Sequence, residues 1–512
     1  MTLNTCYQPT AEVADLKALY VGRMLQDVDG PNPVIDREVA RRNCQVMLDA
    51  ALALNVDFRA HVKTHKVPLH PHSSPICVYH KCIFNHDICV YRTVKYTYTT
   101  ELTRFQVGEQ SDTVRLVAST LVEAEQLVPF MKECQTKGRK VDLIYGLPVQ
   151  PSCFPRLAEV GKALGHGAVT CLVDSIEIIP FLSRYHALCG KRLGVFIKLD
   201  TGYGRAGVTY SSAQFNAIVS ELYALEGKEP HLFTLRGFYS HMGHSYGSNN
   251  PSEAMDYLRT EIEGCKLAAD RASAIPPPTP FDGETNYSQR RFVLSVGATP
   301  STTAAQNLTG HGTLSLPGAD KAKDLIDQTK QKYDVELHAG AYVTLDMQQL
   351  AARARPNTSH LSFDDLALTV LAEVGSLYMH REHPEALVAC GSLAIGREPC
   401  RSYKGWGVVT PWREQQANDA APAADGGVGF YNPDGDKTGW ILDRVSQEHG
   451  ILRWHGSRQN MRPLRIGEKL RIWPNHCCIC LAGFTYVLVV DSTAQGSEKD
   501  RIVDVWQSWR GW

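Results

Sequence analysis

With 53 basic and 54 acidic residues and a formal net charge of −1, the 512-residue chain has no global field to draw it to nucleic acid or an anionic membrane. It is 43% hydrophobic and 21% charged, an ordinary globular balance, and its length is that of two or more domains. No stretch approaches the roughly 20 apolar residues needed to span a bilayer, and MTLNTCYQPTAEVADLKAL lacks the basic-then-apolar order of a secretory signal. The 15 cysteines are scattered, not spaced as a small disulfide scaffold, so they are expected to be reduced thiols of a cytoplasmic protein.

Residues 1–35 form an extension expected to pack on a second domain. From Asp36 to Asn55 the spacing of Val39, Val46, Met47, Ala50 and Leu54 predicts a helix, with Asp36 as its cap. Val56, Phe58, Ala60 and Val62 then alternate with Asp57, Arg59, His61 and Lys63, the period of a strand. VASTLVEAEQLVPFM reads as helix, VDLIYGL and LGVFIKLD as strands, SSAQFNAIVSELYAL as helix, and RGFYSHM, FVLSVGA and DVELHAGAY as strands. This β-then-α order over residues 36–355 predicts an α/β domain with a parallel sheet, closed as a (β/α)8 TIM-type barrel. Residues 356–512 change character. LALTVLAEVGSLY, EALVACGSLAI, GWGVVTPW, GILRW, GEKLRIWP and FTYVLVVD predict a mostly β second domain. ASAIPPPTPFDGETNYSQ and REQQANDAAPAADGGVGFYNPDGDKTG read as loops.

Residues 67–100 fit neither pattern. Clusters of His, Cys and Tyr occur there without a clean period or a zinc-type spacing. The segment is either an inserted loop beside the barrel mouth or intervening sequence retained in the reading frame, and its aperiodic composition suits the second.

The polar face of the first barrel strand carries Arg59, His61 and Lys63. A packed barrel interior prefers branched apolar residues, so charge there must be paired or functional. One reading is a solvated edge strand. The other is a buried lysine, kept uncharged by desolvation and cationic neighbours and able to form a Schiff base.

FRAHVKTHK resembles the pyridoxal-phosphate lysine segment of the fold-type III, alanine-racemase-like enzymes. Within that group the chain resembles the eukaryotic-type D-serine dehydratases and their relatives, the D-threonine aldolases. KLDTGYGRAGV, GFYSHMGHSYG, LSVGATPS, ELHAGAYVTLDMQQ, VSQEHGIL and PNHCCIC follow in the family's order. The resemblance implies that Lys63, not Lys66, carries pyridoxal 5′-phosphate. It also implies cofactor contacts from Arg205, Tyr239, His241, Tyr246, Gly297, Thr299, Gly340, Ala341 and Tyr342. HAGAY stands where the family has His-Pro-Gly-Asn-Tyr, so an Asn side-chain contact is replaced at best by the Ala341 backbone. GYGRAG at 202–207 matches a dinucleotide fingerprint, but the next helix begins only near Ser211, so a loop at the barrel mouth is expected.

His476 and Cys478 lie two positions apart, on one face if the chain is extended. Imidazole with thiolate suits Zn2+. From the motif alone, a packed histidine beside buried thiols is the simpler reading. The resemblance reverses it, because the dehydratases have His-x-Cys here and the aldolases His-x-Asp. Cys477 should face away, and Cys480 should pack.

The mechanism so implied begins with D-serine displacing Lys63. Lys63 takes the α-proton, and zinc draws off the β-hydroxyl. The released aminoacrylate hydrolyses to pyruvate and ammonia. A homodimer is implied by the resemblance. The alternatives are a D-threonine aldolase or other 3-hydroxy-D-amino-acid lyase, a pyridoxal-phosphate carrier, and an inactive pyridoxal-phosphate-binding homologue.

Overall fold

The computed structural model describes residues 13–64, 78–84, 87–93, 101–276, 290–309, 316–356, 360–412 and 430–512. Of the loops expected at 272–289 and 413–439, residues 277–289 and 413–429 lie outside the described residues, as does Lys66, and residues 272–274 belong instead to the end of the helix Pro251–Ala274. Within 67–100 only an antiparallel hairpin is described, Val78–Phe84 paired with Asp87–Thr93.

Eight parallel strands close into a barrel in the chain order Asp57–His61, Thr113–Ala118, Lys140–Pro148, Val169–Val173, Leu193–Lys198, Phe233–Tyr239, Val293–Val296 and Asp334–Ala339. The last pairs with the first through His338 and Arg59. Two strands escape the sequence pattern. Thr113–Ala118 runs almost directly into the helix Leu121–Thr136, so its apolar residues read as part of that helix. Val169–Val173 is buried at every position and therefore does not alternate.

Helices pack outside this ring. Asp36 caps the helix Arg37–Leu54, its Oδ1 accepting from the amides of Glu38 and Val39 at 3.2 and 3.3 Å. The helix ends at Asn55 in the left-handed region, φ 50°, and the chain turns directly into the first barrel strand.

The second domain is a nine-stranded sheet built mainly from residues after 368. It also takes up Asn32–Asp36, which lies between Leu368–Tyr378, antiparallel, and Tyr486–Val490, parallel. One apolar cluster is continuous from the helix Arg37–Leu54 (Val39, Met47) through Tyr342 to Val370, Leu452 and Cys478. This shared core holds the second domain against the barrel mouth, where the short helix Cys477–Ala482 packs on the turn Val62–Thr64.

Candidate active site

Inside the lower barrel, Arg59 is fully buried. It gives Nη2 to Asp142 Oδ2 at 2.7 Å and Nε to Glu336 Oε1 at 2.7 Å. Arg236 reaches the same Asp142 oxygen at 2.8 Å, and Arg115 bridges Glu336 and Asp57. Burial works against the Asp142 charge, but Arg59 and Arg236 outweigh it and hold its carboxyl down at about 2. This polar layer is paired on every side, so Arg59 belongs to the barrel's construction.

At the C-terminal ends of the strands the polar groups are arranged differently. Lys63 sits half-buried on the turn Val62–Thr64 just past its strand. Its amide donates to His61 Nδ1 at 3.4 Å, and the other His61 nitrogen faces Ser119 Oγ at 3.2 Å. His241 gives Nδ1–H to the Gly297 carbonyl at 2.8 Å. His338 stacks on Tyr239 at 4.2 Å and meets Ser295 Oγ through Nδ1 at 3.0 Å. Its Nε2 is buried and has no partner among the described residues. Burial first, then the nearby charge of Lys63 and Lys198, holds both imidazoles well below the ordinary histidine range, so both are neutral. Lys198 was not anticipated. It ends its strand with Nζ on the Leu199 carbonyl at 2.9 Å, and burial lowers its ammonium to about 8.

Gly297, φ 145°, leaves no room for a side chain, because a Cβ there would meet the His338 carbonyl at 2.2 Å. The turn it makes sets Thr299 Oγ1 to accept the Ala341 amide at 3.1 Å, so Gly297, Thr299, Gly340 and Ala341 share one corner. Tyr246 lies edge-on to His476 at 5.9 Å, and burial followed by the Cys478 and Asp346 charges keeps its phenol protonated. Two anticipated residues sit differently. Arg205 is exposed at the rim and stacks on Tyr203 at 5.1 Å. The Tyr342 ring packs edge-on to Phe58, with its hydroxyl toward Cys44 and Gln106, so only its backbone faces the corner. The GYGRAG loop is held by Asp200, which accepts from the Gly202 and Gly204 amides at 2.9 and 3.1 Å, and the next helix starts at Ala213. It is a rim loop.

The expected extended face at His476 and Cys478 is corrected. His476 caps a helix that begins at Cys477, and the change from extended to helical backbone gathers successive side chains. Cys477 therefore does not face away. Its sulfur lies within 4.8 Å of ligand atoms of His476 and Asp346. Cys480 gives its thiol to the Ala394 carbonyl at 3.3 Å. Asp346, absent from the expectations, is the organising acid. Its Oδ2 accepts His476 Nδ1–H at 3.2 Å and the Cys477 amide at 2.9 Å, while Oδ1 caps a helix through the Gln349 amide at 3.0 Å. Hydrogen bonds from Cys477, then the His476 charge, hold the Cys478 thiol well below its usual range. Burial opposes the His476 charge, but the Cys478 thiolate and Asp346 raise the imidazole to about 11.

These donor sets fit the two implied groups. An amine on a strand-end turn, neutral imidazoles with a partnerless buried nitrogen, and a tight glycine corner suit pyridoxal phosphate. A thiolate beside an imidazole whose second nitrogen is fixed by a carboxylate suits zinc.

A family described as "Alanine racemase, N-terminal domain" matches residues 94–281, and a "serine dehydratase domain" matches residues 367–490. The chain is 32% identical over 503 residues to D-serine dehydratase of Schizosaccharomyces pombe, covering 97% of this chain and 95% of that protein. It is 28% identical over 513 residues to D-serine dehydratase of Saccharomyces cerevisiae, covering 98% and 100%. Among solved structures, D-threo-3-hydroxyaspartate dehydratase from Delftia sp. HT23 superposes with a TM-score of 0.62 at 23% identity, over 96% of this chain and 100% of that one.

Proposed function

Since the chain belongs to the D-serine dehydratase family of fold-type III pyridoxal-phosphate enzymes, and is thereby a carbon–nitrogen lyase acting on a small amino acid, we propose that it is a zinc-assisted D-serine dehydratase forming pyruvate and ammonia. The observation that carries the finer reading is the His476–Cys478 pair brought to the turn that bears Lys63. Pyridoxal phosphate, when bound, supplies the electron sink for the charge left on Cα. Zinc, when bound through His476 Nε2 and Cys478 Sγ, supplies a Lewis acid for the β-oxygen.

The remaining work falls to the chain itself. Lys63 takes the α-proton. Thr299 would hold the phosphate in the corner that Gly297 and Gly340 keep clear of side chains. Burial makes His241 and His338 weak bases, so they line the pocket without drawing that proton away from Lys63. Tyr246 keeps its phenolic proton beside the site. Asp346 fixes the His476 tautomer so that Nε2 faces the metal. We read the protein as a homodimer. Eleven free cysteines among the described residues support a reducing, cytoplasmic setting. No helix among the described residues is long and apolar enough to cross a membrane.

The test is product analysis. Purified protein given D-serine should release pyruvate and ammonia in equal amounts. Chelation should stop release while sparing the cofactor's absorbance, and Zn2+ should restore it. Glycine plus an aldehyde from a 3-hydroxy-D-amino acid, with no pyruvate from D-serine, would assign the aldolase reaction instead. Undiminished pyruvate from verified metal-free protein would remove zinc from the reading.

A further inference from the structure

The metal pair and the cofactor lysine meet through one side chain. Thr64 follows Lys63 directly and is fully buried. Its Oγ1 lies 3.1 Å from Cys478 Sγ. The hydroxyl is closely confined on its other side, because a Cβ on Gly340 would meet it at 3.2 Å. A sulfur that binds a metal does so as thiolate and can only accept, so in the loaded site the Thr64 hydroxyl is the donor. Both atoms are on buried residues, and loss of the bond leaves the sulfur one donor short. Outer partners of this kind orient metal ligands and adjust their basicity.

We propose that Thr64 is a positioning residue that ties the metal site to the Lys63 turn, so that occupancy of one site changes the setting of the other. Lys63 and Thr64 share a peptide bond on a single tight turn. A shift of the sulfur on metal binding therefore moves the backbone from which Lys63 reaches the cofactor. Linkage makes the effect mutual: zinc and cofactor must alter each other's affinity by the same factor.

The inference rests on the zinc site proposed above, and the experiment separates the two. In the cofactor-loaded protein, Zn2+ affinity is measured by competition with a chromogenic chelator for wild type, Thr64→Val, Thr64→Ser and His476→Ala. Thr64→Val should weaken Zn2+ binding by about 10-fold, within the range for outer-shell losses, and Thr64→Ser should restore it. With Co2+ in place of Zn2+, the thiolate-to-metal absorption band should shift in Thr64→Val and return in Thr64→Ser. Removing Zn2+ should change cofactor affinity in wild type and not in Thr64→Val. Should Thr64→Val fail to fold, Thr64→Ala is read in the same way. If His476→Ala loses Zn2+ while Thr64→Val keeps wild-type affinity, band and linkage, the coupling is wrong and the site stands. If His476→Ala binds Zn2+ as wild type does, the metal site itself is wrong.

Discussion

The barrel interior carries polar groups in two layers, and they differ in what is left over. In the lower layer, Arg59, Arg115 and Arg236 meet Asp57, Asp142 and Glu336 at 2.7–3.5 Å. In the upper layer, His338 has a buried nitrogen without a partner among the described residues, two histidines are held neutral, and Lys63 stands on a turn beyond its strand. Buried charge that finds a partner builds the fold; a buried polar atom at the barrel mouth with no partner among the described residues is open to one from outside. The same strands contribute to both layers. Asp57–His61 carries Arg59 below and leads to Lys63 above, and Asp334–Ala339 carries Glu336 below and His338 above.

Changes in the two layers should therefore fail in different ways. Lys63→Ala should cut pyruvate formation from D-serine by roughly 10²- to 10⁴-fold, the range for losing a general base, while the urea midpoint stays near wild type. A lost midpoint with retained turnover per folded molecule would erase the distinction between the layers. Arg59→Met should do the opposite. It takes from Asp142 and Glu336 their fully buried partner, leaving them only Arg236 and Arg115, and should lower unfolding stability by about 3–5 kcal/mol, measured by denaturant titration. Asp346→Asn should weaken Zn2+ binding by about 10- to 100-fold in a chelator competition, because the replacement cannot accept from His476 and cap Gln349 at once.

The smallest effect is on pH dependence. The native histidine values at His241 and His338 are depressed, so below pH about 6.5 the unfolded chain binds protons that the native state refuses, and stability falls with acidification. His338→Gln should flatten that acid limb by about 1.4 kcal/mol per pH unit, read from denaturant midpoints across a pH series. An unchanged slope would mean that His338 is not held neutral.

Much of the lower layer could be read directly from the sequence. Alternation from Val56 to Lys63 puts Arg59 inside, and a charge inside a barrel demands partners. Which partners could not be read, since Asp142 and Glu336 are separated from Arg59 by 83 and 277 positions. At the mouth, Lys63 and His476 were legible through motifs. Asp346 was not, because YVTLDMQQ offers an acid that reads as an ordinary helix cap, and only one of its two oxygens serves that purpose. Thr64 and His338 were in view inside VKTHK and ELHAGAY, but nothing local marks a hydroxyl for a sulfur 414 positions away. The extended reading of NHCC failed because a single residue separates strand-like from helical backbone there, too short a change for periodicity to register.

The placement of Asn32–Asp36 has a consequence for how the molecule comes to be made. This strand finds both its neighbours only in Leu368–Leu371 and Leu488–Val490. Asp36, which caps the first barrel helix, also accepts the Ser492 hydroxyl at 3.0 Å, across 456 positions. During synthesis this strand therefore has no neighbour until residues 368–371 are made, and its second edge stays open until residues 488–490 follow. Completion of the sheet is then a late, long-range closure that clasps the barrel's first helix in the same motion.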